Sequence, residues 1–134
     1  MAGTIVADTI QDGAGNSTSM DNAIYGSAKA WAYFTYISSV LTIGASYNVS
    51  SITRSATGQY VVTFTTSMTD TNYAVVTGGG AYSLNTGSCN IHPNYNATNG
   101  TFLAPTTSVF NIGIVNEAGT VAVDPYTCAF AVHR

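Results

Sequence analysis

The sequence predicts an all-β chain, an antiparallel β-sandwich of jelly-roll-like kind, and three observations point there. Tyr60, Val62 and Phe64 alternate strictly with Val61, Thr63 and Thr65, the period of a strand. Short apolar segments recur at close intervals between clusters of Gly, Asn, Pro and Asp, as in sandwiches. Helical periodicity is weak throughout, and β-branched and aromatic residues fill the segments that could have carried it.

Taken in order, residues 1–28 contain "QDGAGNSTSMDN", a run of turn formers without an apolar period, and read as an extended N-terminal arm. A short helical turn near "SMDNAIYG", capped by Ser19 or Asp21, is the one helical element expected. Residues 29–134 form the β-domain. From Ala30 the chain alternates, with Trp31, Tyr33 and Thr35 on one face and Ala32, Phe34 and Tyr36 on the other, and both faces are apolar enough to be buried. "GQYVVTFTTS" is the clearest strand, with "YNVSSITR" as its hairpin partner across the "SATG" turn. Further strands are expected at "NYAVVTG", "GSCNIH", "GTFLA", "SVFNIGIVN", "GTVAV" and "YTCAFAVH". In the last of these Tyr126, Cys128, Phe130 and Val132 share the face expected to point inward.

Composition narrows the function classes. Charged residues make up 7% of the 134, against about 25% in an average domain, and 46% is apolar, so the surface must be polar but largely uncharged. The formal charge is −3, and the basic residues are Lys29, Arg54 and Arg134, which give no patch able to hold a nucleic-acid backbone. No apolar stretch approaches the ~18 residues of a membrane span, and the N-terminus lacks a basic start followed by an apolar segment. A soluble chain without a secretion signal is expected, with no membrane partner.

No motif carries catalysis or a cofactor. "TGGGAY" lacks the Lys and the helix of a phosphate-binding loop and reads as a turn or tight bend. Asp12, Asp21, Asp70 and Asp124 stand in turn-like settings, without the converging acid pair a glycosidase needs. Cys89-x-x-His92 and Cys128-x4-His133 resemble two metal half-sites, yet Cys128 and His133 would point to opposite faces of a strand. Two buried free thiols are favoured over a metal site or a Cys89–Cys128 disulfide, and no metal is expected.

Three long strings, "GTIVADTIQDGAGNSTSMDNAIYGSAKAW", "ASYNVSSITRSATGQYVVTFTTSMTDTNYAVV" and the terminal "CAFAVHR", resemble a family of tailed-bacteriophage proteins. Its members stand at the C-terminal tips of tail fibres or as short virion proteins. The resemblance implies a β-rich virion component assembling as a homotrimer, with no catalytic residues to carry over. The chain departs from the family after Trp31, where "AYFTYISSVL" replaces a polar hairpin containing Asn and Gly. Near a trimer axis identical charges repel, so a chain poor in charge suits that assembly.

The expected function is therefore a non-enzymatic structural protein on the exterior of a phage tail or head, a tail-fibre tip or a capsid decoration (cement) protein. The arm would engage another virion protein. The alternative is a module binding host-surface glycans, with Trp31, Tyr82, Tyr95 and Tyr126 as ligand or interface contacts and Asn85, Asn90 and Asn94 as polar partners. For Trp31 an anchor in the core or at an interface outweighs a sugar platform. A depolymerase is the third and weakest reading.

Overall fold

Why two sheets form is legible in the alternation of buried and exposed side chains in a computed structural model, which describes residues 7–19, 26–83 and 87–134. The expected helical turn and Asp21, Asn85 lie outside these residues, and of Tyr82 only the backbone is described. The strands are β1 (Thr9–Gln11), β2 (Ser17–Ser19), β3 (Ala28–Ile37), β4 (Val40–Tyr47), β5 (Val49–Ala56), β6 (Gln59–Phe64), β7 (Ala74–Gly79), β8 (Ala81–Ser83), β9 (Gly87–Pro93), β10 (Val109–Asn116) and β11 (Thr127–His133). They pair as a five-stranded sheet, β5-β6-β10-β9-β8, a four-stranded sheet, β4-β3-β11-β7, and the hairpin β1-β2. Every pairing is antiparallel.

The two larger sheets enclose one core, as in a sandwich. Ala30, Ala32 and Phe34 of β3 and Cys128, Phe130 and Val132 of β11 meet Tyr60, Val62 and Phe64 of β6 and Phe110, Ile112 and Ile114 of β10. Phe110 stacks on Phe64 at 5.6 Å and meets Phe130 edge-on at 5.1 Å, so aromatic contacts bridge the sheets. Each such ring contributes about 1.5–3 kcal/mol by leaving water. Cys89 and Cys128 are free and buried in this core. Burial pushes the Cys128 thiol up to about 12 and raises that of Cys89, leaving both protonated and poorly nucleophilic.

Residues 9–19, expected as extended arm, include the β1–β2 hairpin. Asp12 Oδ1 closes its turn by accepting from the Ala14 and Asn16 amides at 2.9 Å each. The β3–β4 hairpin turns on Ser38 and Ser39, with φ of 50° and 65°. Two left-handed residues make the tight turn that Asn-Gly satisfies best. Exchanging Ser38-Ser39 for Asn-Gly is therefore expected to raise stability by roughly 1 kcal/mol, read from the urea midpoint at unchanged slope.

Two expected strands are absent. "GTFLA" contributes only an isolated bridge between Phe102 and Tyr95, and "GTVAV" one between Ala122 and Val115. Asn96, Asn99 and Asn116 explain this, because their side chains accept from backbone amides at Thr98, Thr101, Thr120 and Val121 and hold these stretches as turns. The glycine run, read as a bend, instead supplies the last residues of β7 before the chain crosses to β8 in the other sheet. An added Cβ on Gly79 would lie 2.6 Å from the Thr127 carbonyl, at φ 143°, so the crossing requires glycine.

Candidate interaction face

The outer faces of the two sheets are treated differently. On the five-stranded sheet the loop 94–106 folds back over Gln59 and Gly113, paired neighbours on β6 and β10. Gln59, buried, donates to the Tyr95 carbonyl at 3.1 Å and accepts from the Ala97 amide at 3.0 Å. The Tyr95 ring lies where a Gly113 side chain would stand, 2.7 Å from its ideal Cβ, and packs 5.0 Å from His92. The loop therefore covers the middle of this face, while Thr53 of β5 and Asn90 and His92 of β9 stay exposed on it.

The four-stranded sheet keeps its outer face open. Trp31 and Tyr33 of β3, expected to be buried on both sides of the strand, are 40% and 44% exposed, because only the Ala32/Phe34 side has a sheet against it. Trp31 pairs with Tyr47 on one side and Ala131 on the other, and Ala131 pairs in turn with Val76. Tyr47 and Val76 are 58% and 60% exposed. The Tyr33 ring leans over the bulged Gly44 of β4, 3.0 Å from where a Cβ would sit. Ala45, Ala129 and Ala131 complete a surface of aromatic relief and shallow hollows, with Lys29 at its edge beside Tyr47. Flat apolar sheets of this kind are shaped to be covered.

The chain turns from this sheet to the other at Asn48, which has φ 53° and a side chain that joins three segments. Its Oδ1 accepts from the Thr66 amide at 2.7 Å, and its Nδ2 donates to the Lys29 and Thr66 carbonyls at 3.1 Å each. Around this clamp opens a pocket of about 540 Å³ lined by Lys29, Tyr47, residues 65–69 and Arg134. Arg134 Nε donates to Asp70 at 2.9 Å, and this guanidinium holds Asp70 at about 2.

The opposite end of the sandwich is tied by Asp124. It accepts from Arg54 at 2.8 and 2.9 Å, from the Gly58 amide at 3.0 Å and from the fully buried Tyr60 hydroxyl at 2.8 Å. Burial pushes the Asp124 carboxyl up, yet the Arg54, Gly58 and Tyr60 donors outweigh it and leave it below 3.8. Burial and the adjacent carboxylate raise Tyr60 well above 10. Arg54 also lies 5.1 Å over the Tyr36 ring. Gly58 cannot be replaced without a clash with the Ile114 carbonyl.

These shifts fix the pH dependence. A depressed carboxyl stabilises the fold fully above its unfolded value and less as pH falls through its folded value, and a raised phenol does so below its unfolded value. Stability is therefore expected to be flat from about pH 4 to 9, to fall in acid with Asp124 and Asp70, and to fall in alkali first as the buried Cys128 and Cys89 thiols and then Tyr60 are forced to ionise. Thermal unfolding across pH 2–12 reads this directly.

Among the described residues the candidates are not brought together. Trp31 stands on the open face, Tyr95 belongs to the loop on the other sheet and is half-buried against Gly113, and half-buried Tyr126 precedes β11, whose first residue, Thr127, pairs with Thr35 at the far end of β3 from Trp31. Asn90 is engaged with the Asn116 and Glu117 carbonyls, and Asn94 occupies a left-handed corner at φ 55°. Of the residues that join Trp31, Tyr33 was signalled by alternation, whereas Tyr47, which ends β4, stood in the stretch read as the partner strand of β6. The two metal half-sites do not converge: Cys89 is buried while His92 is exposed, and among the described residues no group of three His, Cys, Asp or Glu could hold an ion. Asp124, read as a turn residue, is instead the hub just described.

Fold and surface together define an all-β sandwich with one outer face partly covered by its own loop and the other open and largely apolar. No family model, curated protein or solved structure matches the chain. Among the described residues no helix is long and apolar enough to cross a membrane.

Proposed function

We propose that the chain is a non-enzymatic structural protein on the exterior of a tailed phage particle, assembling as a homotrimer, at a tail-fibre tip or as a capsid decoration. The jelly-roll-like wrapping, the attachment role of residues 1–28 toward another virion protein and the trimer are parts of this proposal. The observation that carries it is the open outer face of β4-β3-β11-β7, with Trp31, Tyr33, Tyr47 and Val76 exposed and no charge among the alanines between them. Copies packed through such a face bury it without placing like charges at an axis. The long sequence strings that resemble phage virion proteins supply the context. Electron cryomicroscopy of virions labelled with an antibody to this chain tests it: label on tail or head supports the reading, and unlabelled particles from cells that express the chain contradict it.

A second reading, recognition of a host-surface glycan, is favoured by one feature, the pocket beside Asn48 with Tyr47 at its wall.

A further inference from the structure

The edges of the two sheets differ in how they discourage further pairing. In the five-stranded sheet, edge strand β8 is three residues long and edge strand β5 carries the charged Arg54, and both features deter an added strand. The four-stranded sheet ends in β4, of eight residues, and β7, of six, and neither strand holds a charge or a proline. The bulge at Gly44 is the one irregularity in the pairing of β4. Ile43 marks this edge as unfinished. It pairs with buried Phe34 and so points to the inner side, yet it is 37% exposed, because no described strand lies beyond β4. At the opposite edge Val75 packs against the core, while Val76 is exposed on the open side.

We propose that β4 of one copy pairs with β7 of the next, so that the four-stranded sheets run on from copy to copy. Three successive antiparallel pairings, β4 with β3, β3 with β11 and β11 with β7, leave β4 and β7 running in opposite directions. A neighbour rotated about an axis along the strands keeps its strand directions, so its β4 meets β7 antiparallel. The sides of the strands match as well. Thr42, Ala45 and Tyr47 share the open side with Trp31, as Val76 does, so the open face continues across the join. On the inner side Ile43 gains the cover it lacks, beside Val75 of the neighbour. Head-to-tail pairing of this kind closes into a ring, whereas β4 on β4 would stop at a dimer and leave β7 bare. The inference rests on the proposed self-assembly and names the contact that joins the copies, a backbone ladder in addition to the apolar face.

Cross-linking of the full chain tests this. Val76→Cys is combined in turn with Val40→Cys, Thr42→Cys and Ala45→Cys, all at exposed positions, and treated with a short bismaleimide at neutral pH. Cys89 and Cys128 are buried and protonated, so the parent chain is the unreactive control. Within one chain β4 and β7 stand three strand spacings apart, about 14 Å, beyond the reach of the reagent. At least one pair is expected to give a covalent trimer as the major band on a denaturing gel, with each single variant giving about a tenth as much product or less. Covalent dimers from a single β4 cysteine, as abundant as the products of the pairs, would mean that β4 meets β4 and overturn the inference. Hydrogen exchange on the parent reads the same contact without substitutions. Amides of 40–47 and 74–79 that face away from their own sheet are expected to exchange on the order of tenfold more slowly in the assembly than in the diluted monomer. Equal rates in a chain with a trimer's molar mass overturn the edge contact and leave the trimer standing. A monomeric parent overturns both.

Discussion

Trp31→Glu is expected to convert the proposed trimer to monomers without unfolding the protomer. The side chain stands on the open face, 40% exposed, so within one chain a carboxylate there reaches water. In a closed trimer it would be buried against apolar neighbours in every copy at once, at several kcal/mol per ion. Its strand neighbours are Tyr47 and Ala131, which offer a carboxylate no cation. Sedimentation velocity is expected to show the variant at the mass of one 13.9 kDa chain, with far-ultraviolet dichroism and the urea midpoint of a folded domain. Trp31→Phe, which keeps the apolar contact, is expected to stay assembled. A Glu variant that assembles like the parent would mean that the copies meet elsewhere.

Asp124→Ala is expected to be the most destabilising single change outside the core. It leaves the Tyr60 hydroxyl, fully buried, without its acceptor and removes the partner of Arg54. An unsatisfied buried hydroxyl costs about 1–3 kcal/mol, and the ion pair adds less than a buried one would because both side chains retain some exposure. A loss of about 2–3 kcal/mol in urea unfolding is expected. Adding Tyr60→Phe removes the orphaned hydroxyl, so the double variant is expected to recover part of that loss, about 1 kcal/mol. Simple additivity would show that the Tyr60–Asp124 contact carries no coupling. The acid limb of the stability profile is expected to shrink in the same variant, since Asp124 then has no proton to gain.

What the sequence made legible was whatever strand periodicity records. β6 and β11 were readable because one of their faces meets the other sheet, so large apolar side chains fall every second residue. β3 was readable as a strand, but its burial was misjudged. Alternation of Trp31 and Tyr33 with Ala32 and Phe34 reveals two apolar faces and cannot reveal that a second sheet covers only one. β4 passed unrecognised because an outer strand with a bulge at Gly44 has little alternation to show. "GTFLA" in the 94–106 loop resembled strand by composition, yet the asparagines before it bond to nearby amides and outcompete a ladder. The sites were least legible. Arg54 and Asp124 lie 70 positions apart, and the pocket draws on the starts or ends of β3, β4, β6 and β11. Only folding brings either set together.

The most direct test of self-assembly through the open face is the molar mass of the parent chain by multi-angle light scattering at low and high salt. A mass three times 13.9 kDa in both is expected, since the face is mostly apolar and salt has little to screen there. A stable monomer at micromolar concentration, with Trp31 fluorescence as exposed as in the single protomer, would contradict it.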